Sequence, residues 1–277
     1  MDFIFKGLKV FSDEETLNEI IINNKSIARY GDGEFSLIFG YGIGFQKYNK
    51  TLSNKLLEIL KSNNQNLLIG INIISNYEYI ERYTNSSKKF YLNWIEYNKL
   101  RIGKILNKTK KYYSSFITRF YIEYKNKTRA SEYIIMLKKI WEKKDILIIE
   151  GENSRLGVGN DLFNSSKSIK RIICPSKNAF FVYDKIINEI KKINKNILIL
   201  IALGPTSTVL AYDLNLLGYQ AIDVGHVDIE YEWFLKNAST KVIIENKFVN
   251  EVNNGKNNFT KVKDKLYYQQ IIKTILN

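Results

Sequence analysis

The chain has 277 residues, 45% of them apolar, and a formal net charge of +14 from 42 basic and 28 acidic side chains. That length suits one large domain or two small ones with a sizeable core. The single cysteine, Cys174, excludes an internal disulfide, and the two prolines, Pro175 and Pro205, leave no Pro-rich linker.

Ser12-Asp13-Glu14-Glu15 is a capping box that opens a helix over ETLNEIIIN. SIARY (26–30) reads as a short strand ending at Gly31. LSNKLLEILKS (52–62) has helical periodicity, and NLLIGINII (66–74) reads as a buried strand. From Tyr77 to Lys144 the pattern is helical and rich in Tyr, Trp and Lys, which predicts a helical insertion over about 77–143. DILIIEG (145–151) and RIICPS (171–176) are strand candidates around one helix-length of chain, and NAFFVYDKIINEIKKIN (178–194) is a helix. NILILIALG (196–204) is the strongest strand. TSTVLAYDLNLLG (206–218) is a helix with Gly218 as its C-cap, and QAIDVGH (220–226) is a last strand. The tail has a turn-rich NNGKNN (253–258) and closes on KLYYQQIIKTILN, read as a helix within a helical tail over about 247–277. Short apolar runs alternating with helices argue for an α/β domain, 1–277, built on a mostly parallel sheet.

The longest strongly apolar run, Ile197 to Leu203, is far short of the ~20 residues of a membrane helix. The N-terminal stretch has no long apolar region of the signal-peptide kind. A soluble cytoplasmic protein is expected, with peripheral association at the inner face of the membrane left open. The positive charge has two readings. One is attraction to polyanions such as nucleic acid, anionic lipid or phosphorylated substrates. The other is composition: the chain is crowded with Lys, Asn, Ile and Tyr, its lysines are scattered, and no basic block of the nucleic-acid-binding kind stands out.

In open parallel sheets, ligands sit beyond the carboxyl ends of the strands. Those ends carry Gly31-Asp32-Gly33-Glu34, Gly151-Glu152-Asn153-Ser154-Arg155, Pro175-Ser176-Lys177-Asn178, Gly204-Pro205-Thr206-Ser207-Thr208 and Gly225-His226-Val227-Asp228-Ile229-Glu230. A parallel sheet makes these five pieces converge.

Asp32 and Glu34 are two apart, so in extended backbone they face one side. Paired carboxylates repel unless a cation lies between them or one is protonated. Hard divalent cations, Mn²⁺ or Mg²⁺, take such ligands together with phosphate oxygens and water. The plain alternative is a surface turn of two solvated acids, since Asp-Gly is a common turn signal. Gly204-Pro205-Thr206 opens a helix whose free N–H groups favour an anion, or is an ordinary cap. Arg155 is able to clamp a phosphate. His226, the only histidine, forms an i, i+2, i+4 set with Asp228 and Glu230 that shares a side if extended. If helical, only His226 and Glu230 share a face.

Taken together, SIARYGDGEF, IIEGENSRLGVGNDLF, IKRIICPSKNAF, LIALGPTSTVLAYDL and GYQAIDVGHVDIEYEW resemble the bacterial glycosyltransferases of the GT-D fold. The resemblance runs from about Glu15 to Trp233 and is weaker over 77–130 and after 245. It implies a Rossmann-like domain, an Asp-x-Glu metal motif at Asp32 and Glu34, and transfer of a hexose from a nucleotide sugar, by family habit a UDP-sugar. Arg29, Gly31, Ser154, Arg155, Gly204, Pro205 and Thr206 are then candidates for holding the donor. Asp228, then His226, with Glu230 beside them, are candidates for the base. The implied acceptor is a surface glycan, a glycoprotein or a lipid-linked sugar. A metal-dependent phosphoesterase or nucleotide hydrolase is the competing enzyme reading. A nucleic-acid-binding module ranks last.

Overall fold

In the computed structural model, residues 5–73, 77–252 and 259–276 are described. The strands are β1 (Lys9–Val10), β2 (Ser26–Tyr30), β3 (Leu67–Ile71), β4 (Lys111–Ser114), β5 (Asp145–Gly151), β6 (Ser168–Cys174), β7 (Leu198–Ala202), β8 (Gln220–Asp223) and β9 (Ile271–Thr274). They form one sheet in the order β1-β4-β3-β2-β8-β7-β5-β6-β9. Its strand pairs are parallel throughout.

The helices are α1 (Asp13–Ile22), α2 (Asp32–Ile38), α3 (Lys50–Lys61), α4 (Tyr77–Ile80), α5 (Asn85–Ile105), α6 (Ala130–Lys138), α7 (Tyr183–Ile190), α8 (Pro205–Leu216), α9 (Val227–Leu235) and α10 (Lys265–Gln270). They cover both faces of the sheet. Successive strand residues point to opposite faces, so a central parallel strand is apolar at every position. In β5, Leu147 and Ile149 enter the core shared with α2, α3, α7 and α8. Ile146 and Ile148 enter the core shared with α1, α6 and α9. At about 25 cal/mol per Å² of apolar surface, burying these β-branched and leucyl side chains on two faces is the main force holding the sheet.

Three expectations change, and one strand had no expectation behind it. The segment 77–143 is not purely helical: β4 lies inside it and joins the sheet between β1 and β3. Its KYYS sequence carries one buried tyrosine, Tyr112, and no apolar run, so the pattern hid it. The tail is not helical throughout. α10 stops at Gln270, and Ile271–Thr274 turns into the edge strand β9 beside β6. β1 is too short to leave a pattern. Finally, Asp32–Ile38 is helix rather than extended chain. The turn expected at 253–258 lies outside the described residues.

Candidate active site

The five strand-end pieces do converge at the carboxyl edge of the sheet. Gly31 caps α2, and Glu34 at the third helical position folds back so that its Oε2 accepts from the Gly31 N–H at 2.7 Å. The pair Asp32 and Glu34 therefore sits in the first turn of a helix, where residues two apart diverge around the axis. Asp32 is exposed and Glu34 half-buried. Burial first, then the nearby carboxylates of Asp223 and Asp32, push the Glu34 carboxyl up to about 7. Asp223, at the end of β8, is thus a stronger neighbour of Glu34 than Asp32 is.

Arg29, one residue before the end of β2, is not turned to solvent. Its Nη2 pairs with Asp223 Oδ1 at 3.1 Å, and its Nη1 donates to the Ser115 carbonyl and to Thr118 Oγ1. The guanidinium lies under Gly225: a Cβ on that glycine would stand 2.1 Å from Arg29 Nη2, and its φ of 46° is left-handed. Arg29 therefore joins the Asp32–Glu34 side of the site to the β8 side from below.

A cleft opens beyond β5, β6, β7 and β8. Gly151, Ser154, Ser176, Asn178, Gly204, Gly225, His226 and Asp228 line it, with the rings of Phe45 and Phe248 on its walls. Among the described residues, no lysine or arginine lines it. Phe45 lies against Gly204, where a Cβ would meet the ring at 2.5 Å. The loop that carries Phe45 is held by Asn178, whose N–H donates to the Phe45 carbonyl and whose Oδ1 accepts from the Lys47 N–H.

The candidates in α9 separate. His226 caps the helix and faces the cleft, and its Nδ1 lies 3.1 Å from Glu251 Oε1. Burial holds the imidazole below its ordinary value, partly opposed by Glu251. Asp228 Oδ1 accepts from the Gly157 N–H and from Asn160 Nδ2, both at 2.8 Å, and Oδ2 pairs with Lys247 Nζ at 2.7 Å. Glu230 is fully buried. Its Oε2 accepts from the Tyr121 and Ile122 N–H groups, and Arg119 lies 3.5 Å from its Oε1. Glu230 fastens the 119–122 segment to α9 and does not reach the cleft.

Of the residues named as donor-binding candidates, Ser154 and Gly204 line the cleft. Arg155 does not: its Nη1 donates to the Asn246 carbonyl at 2.9 Å, and it lies 5.8 Å from the Phe259 ring. Pro205 takes the first position of α8, and the buried Thr206 Oγ1 has no hydrogen-bond partner among the described residues.

Asp32 and Glu34 are hard oxygen donors of the kind a divalent cation takes, but in the first turn of α2 they diverge and one Glu34 oxygen is held by the Gly31 N–H. Among the described residues, no three His, Cys, Asp or Glu side chains gather into a complete metal cage. The two carboxylates would supply only part of an ion's shell, with phosphate oxygens and water left to complete it.

The family model described as the glycosyltransferase GT-D fold matches residues 27–252. The chain belongs to this glycosyltransferase family. It is 40% identical over 249 residues to a probable glycosyl transferase Gly of Streptococcus gordonii, covering 90% of this chain and 36% of that protein. It is 38% identical over 270 residues to glycosyltransferase GlyD of Streptococcus pneumoniae, covering 98% of this chain and 33% of that protein. The chain thus spans about a third of the length of these relatives. Two solved structures, each 38% identical, match nearly end to end. One is described as domain of unknown function 1792 with a distinct glycosyltransferase fold, with a TM-score of 0.92 over 99% of this chain and 97% of that one. The other is a glycosyltransferase of Streptococcus sanguinis, with a TM-score of 0.91 over 97% and 99%.

Sequence reasoning missed Phe45, Asp223, Lys247, Phe248, Asn250 and Glu251 as parts of this GT-D site. Asp223 closes a strand and lies two residues before the flagged Gly225, so the strand-end rule came near it. The others sit on loops brought in by tertiary packing, with no local signal.

Proposed function

We propose that the chain transfers a hexose from a UDP-sugar to a hydroxyl of a glycan or glycoprotein acceptor, with Mn²⁺ or Mg²⁺ held by Asp32 and Glu34. The observation that carries this reading is the His226–Glu251 pair opening on a cleft lined, among the described residues, by no lysine or arginine, beside a cluster of carboxylates. When bound, the cation neutralises charge on the departing diphosphate. The N-terminus of α8 at Gly204–Thr206 offers backbone N–H groups to the same anion.

The cleft suits the uncharged part of the reactants. Ser154, Ser176, Asn178 and Asn250 offer hydrogen bonds to hydroxyls, and Phe45 and Phe248 offer faces to ring CH groups. In an inverting transfer, a base must take the acceptor's proton. His226 serves better than Asp228. With Nδ1 held by Glu251, His226 Nε2 is left to accept, and burial keeps the ring neutral near pH 7. Asp228 already spends both carboxylate oxygens on Gly157, Asn160 and Lys247.

Calorimetric titration with UDP, GDP and dTDP, with and without Mn²⁺, tests the donor site. The expected result is metal-dependent UDP binding that weakens in Glu34→Ala. Binding that ignores both metal and Glu34 sinks the reading. Product analysis separates the enzyme classes: UDP plus a glycoside supports transfer, whereas inorganic phosphate or UMP supports the hydrolase.

A further inference from the structure

Helix α5 buries one side and leaves the other bare. Tyr91, Asn98 and Ile102 are buried, and Trp94 and Ile95 pack beside them. On the far side Phe90 is 63% exposed, Tyr97 77% and Leu100 65%. At 100° per residue these three fall within a sector of about 80°, along roughly 15 Å of helix. Single exposed apolar residues are ordinary, but a helix normally turns polar residues to water on such a sector.

Exposed Lys89, Arg101 and Lys104 lie in or at the edges of the same sector. The one acidic residue of α5, Glu96, is occupied by Lys99 Nζ at 2.6 Å. The Arg101 guanidinium lies 5.6 Å from the Phe39 ring and 5.8 Å from the Tyr41 ring, and Tyr41 is 54% exposed. The patch therefore continues onto the loop after α2, the loop whose Phe45 walls the cleft.

We propose that this face docks the protein on an anionic lipid surface. Aromatic and aliphatic tips set among exposed Lys and Arg are the composition that settles into a headgroup layer, with the cations on lipid phosphates. Charge complementarity selects this partner. A second copy of the chain, itself +14, would set like charges face to face, and protein interfaces deplete lysine at their centres. Docking by this face brings the loop that carries Phe45, a wall of the cleft, close to the bilayer.

Vesicle co-sedimentation of the full chain at low salt tests this. Binding is expected to phosphatidylglycerol vesicles and not to phosphatidylcholine vesicles. The triple variant Phe90→Ser, Tyr97→Ser, Leu100→Ser is expected to bind about tenfold more weakly or worse. Lys89→Gln, Arg101→Gln, Lys104→Gln should lose more binding than Lys139→Gln, Lys191→Gln, Lys195→Gln, which removes equal charge elsewhere. The wild type gives a check that needs no variant: bound to vesicles, Lys89 and Lys104 should be protected from acetylation and Lys139 should not. Absence of binding, equal loss in the two basic triples, or equal acetylation of the three lysines overturns the proposal. So does a change in oligomeric mass on removing the apolar stripe with vesicle binding unaltered, since the occupant is then a second copy.

Discussion

Two stretches of this chain look alike in sequence and behave differently in the fold. Gly31–Glu34 follows β2 and opens α2, and Gly225–Glu232 follows β8 and opens α9. Each sets carboxylates at a helix start beside the same crevice, where the helix dipole favours them. In the first, Asp32 stays exposed and Glu34 gives one oxygen to a backbone N–H. In the second, Asp228, Glu230 and Glu232 are spent on Gly157, Asn160, Lys247, Arg119 and the 121–122 backbone. A carboxylate at a strand end is available for chemistry only while the fold has not already satisfied it. His226 is the member of the second stretch that keeps a nitrogen for the cleft.

Substitutions on the two sides should therefore fail in different ways. Asp32→Ala is expected to lower transferase turnover by about 10²–10³, the usual loss for one electrostatic contact to developing charge, while stability moves by less than about 0.5 kcal/mol. UDP-release kinetics and denaturant unfolding on the same samples check both halves. Asp228→Ala should do the reverse, costing about 3 kcal/mol by stripping Lys247 and two hydrogen-bond donors of a buried partner. A turnover loss in Asp228→Ala with unchanged unfolding would restore Asp228 as the base and break the comparison.

Smaller effects sharpen it. Burial places the His226 imidazole below its ordinary value of about 6.5, so its neutral form prevails above that pH. The acid limb that His226 imposes on kcat/KM should lie below about 6.5, and it separates from the limb of Glu34, raised to about 7, when saturating cation keeps Glu34 ionised. The same ring contributes stability that is complete above the unfolded value and is lost as pH drops toward the folded one. Glu251 raises the ring's affinity for a proton. Glu251→Gln is thus expected to move the acid limb to lower pH and to slow turnover about tenfold through lost orientation. A limb that stays in place would assign it to another group.

The sheet was largely legible in the sequence because its central strands are continuous apolar runs, and β2 spans SIARY as read. β4 and β9 were not legible, since KYYS lacks an apolar run and IIKT continues the apparent helical period of KLYYQQ. The site was legible as a list of strand ends, and a parallel sheet does bring them together. Its conformation was misjudged at Asp32–Glu34, where Glu at the third position behind a Gly cap was a helix-start cue in the sequence. The roles of Asp228, Glu230 and Arg155 depended on Lys247, Arg119 and Asn246, partners 19–111 residues away in sequence, which no local pattern encodes.

The glycine over Arg29 sets a rule for substitution at the heart of the site. Any side chain at position 225 strikes the guanidinium, and Arg29 cannot step aside without leaving Asp223, Ser115 and Thr118. Positions 29 and 225 therefore form a locked pair: in a mutational library, functional variants at 225 should emerge only alongside a smaller residue at 29, and redesign of this crevice has to treat the two as one choice.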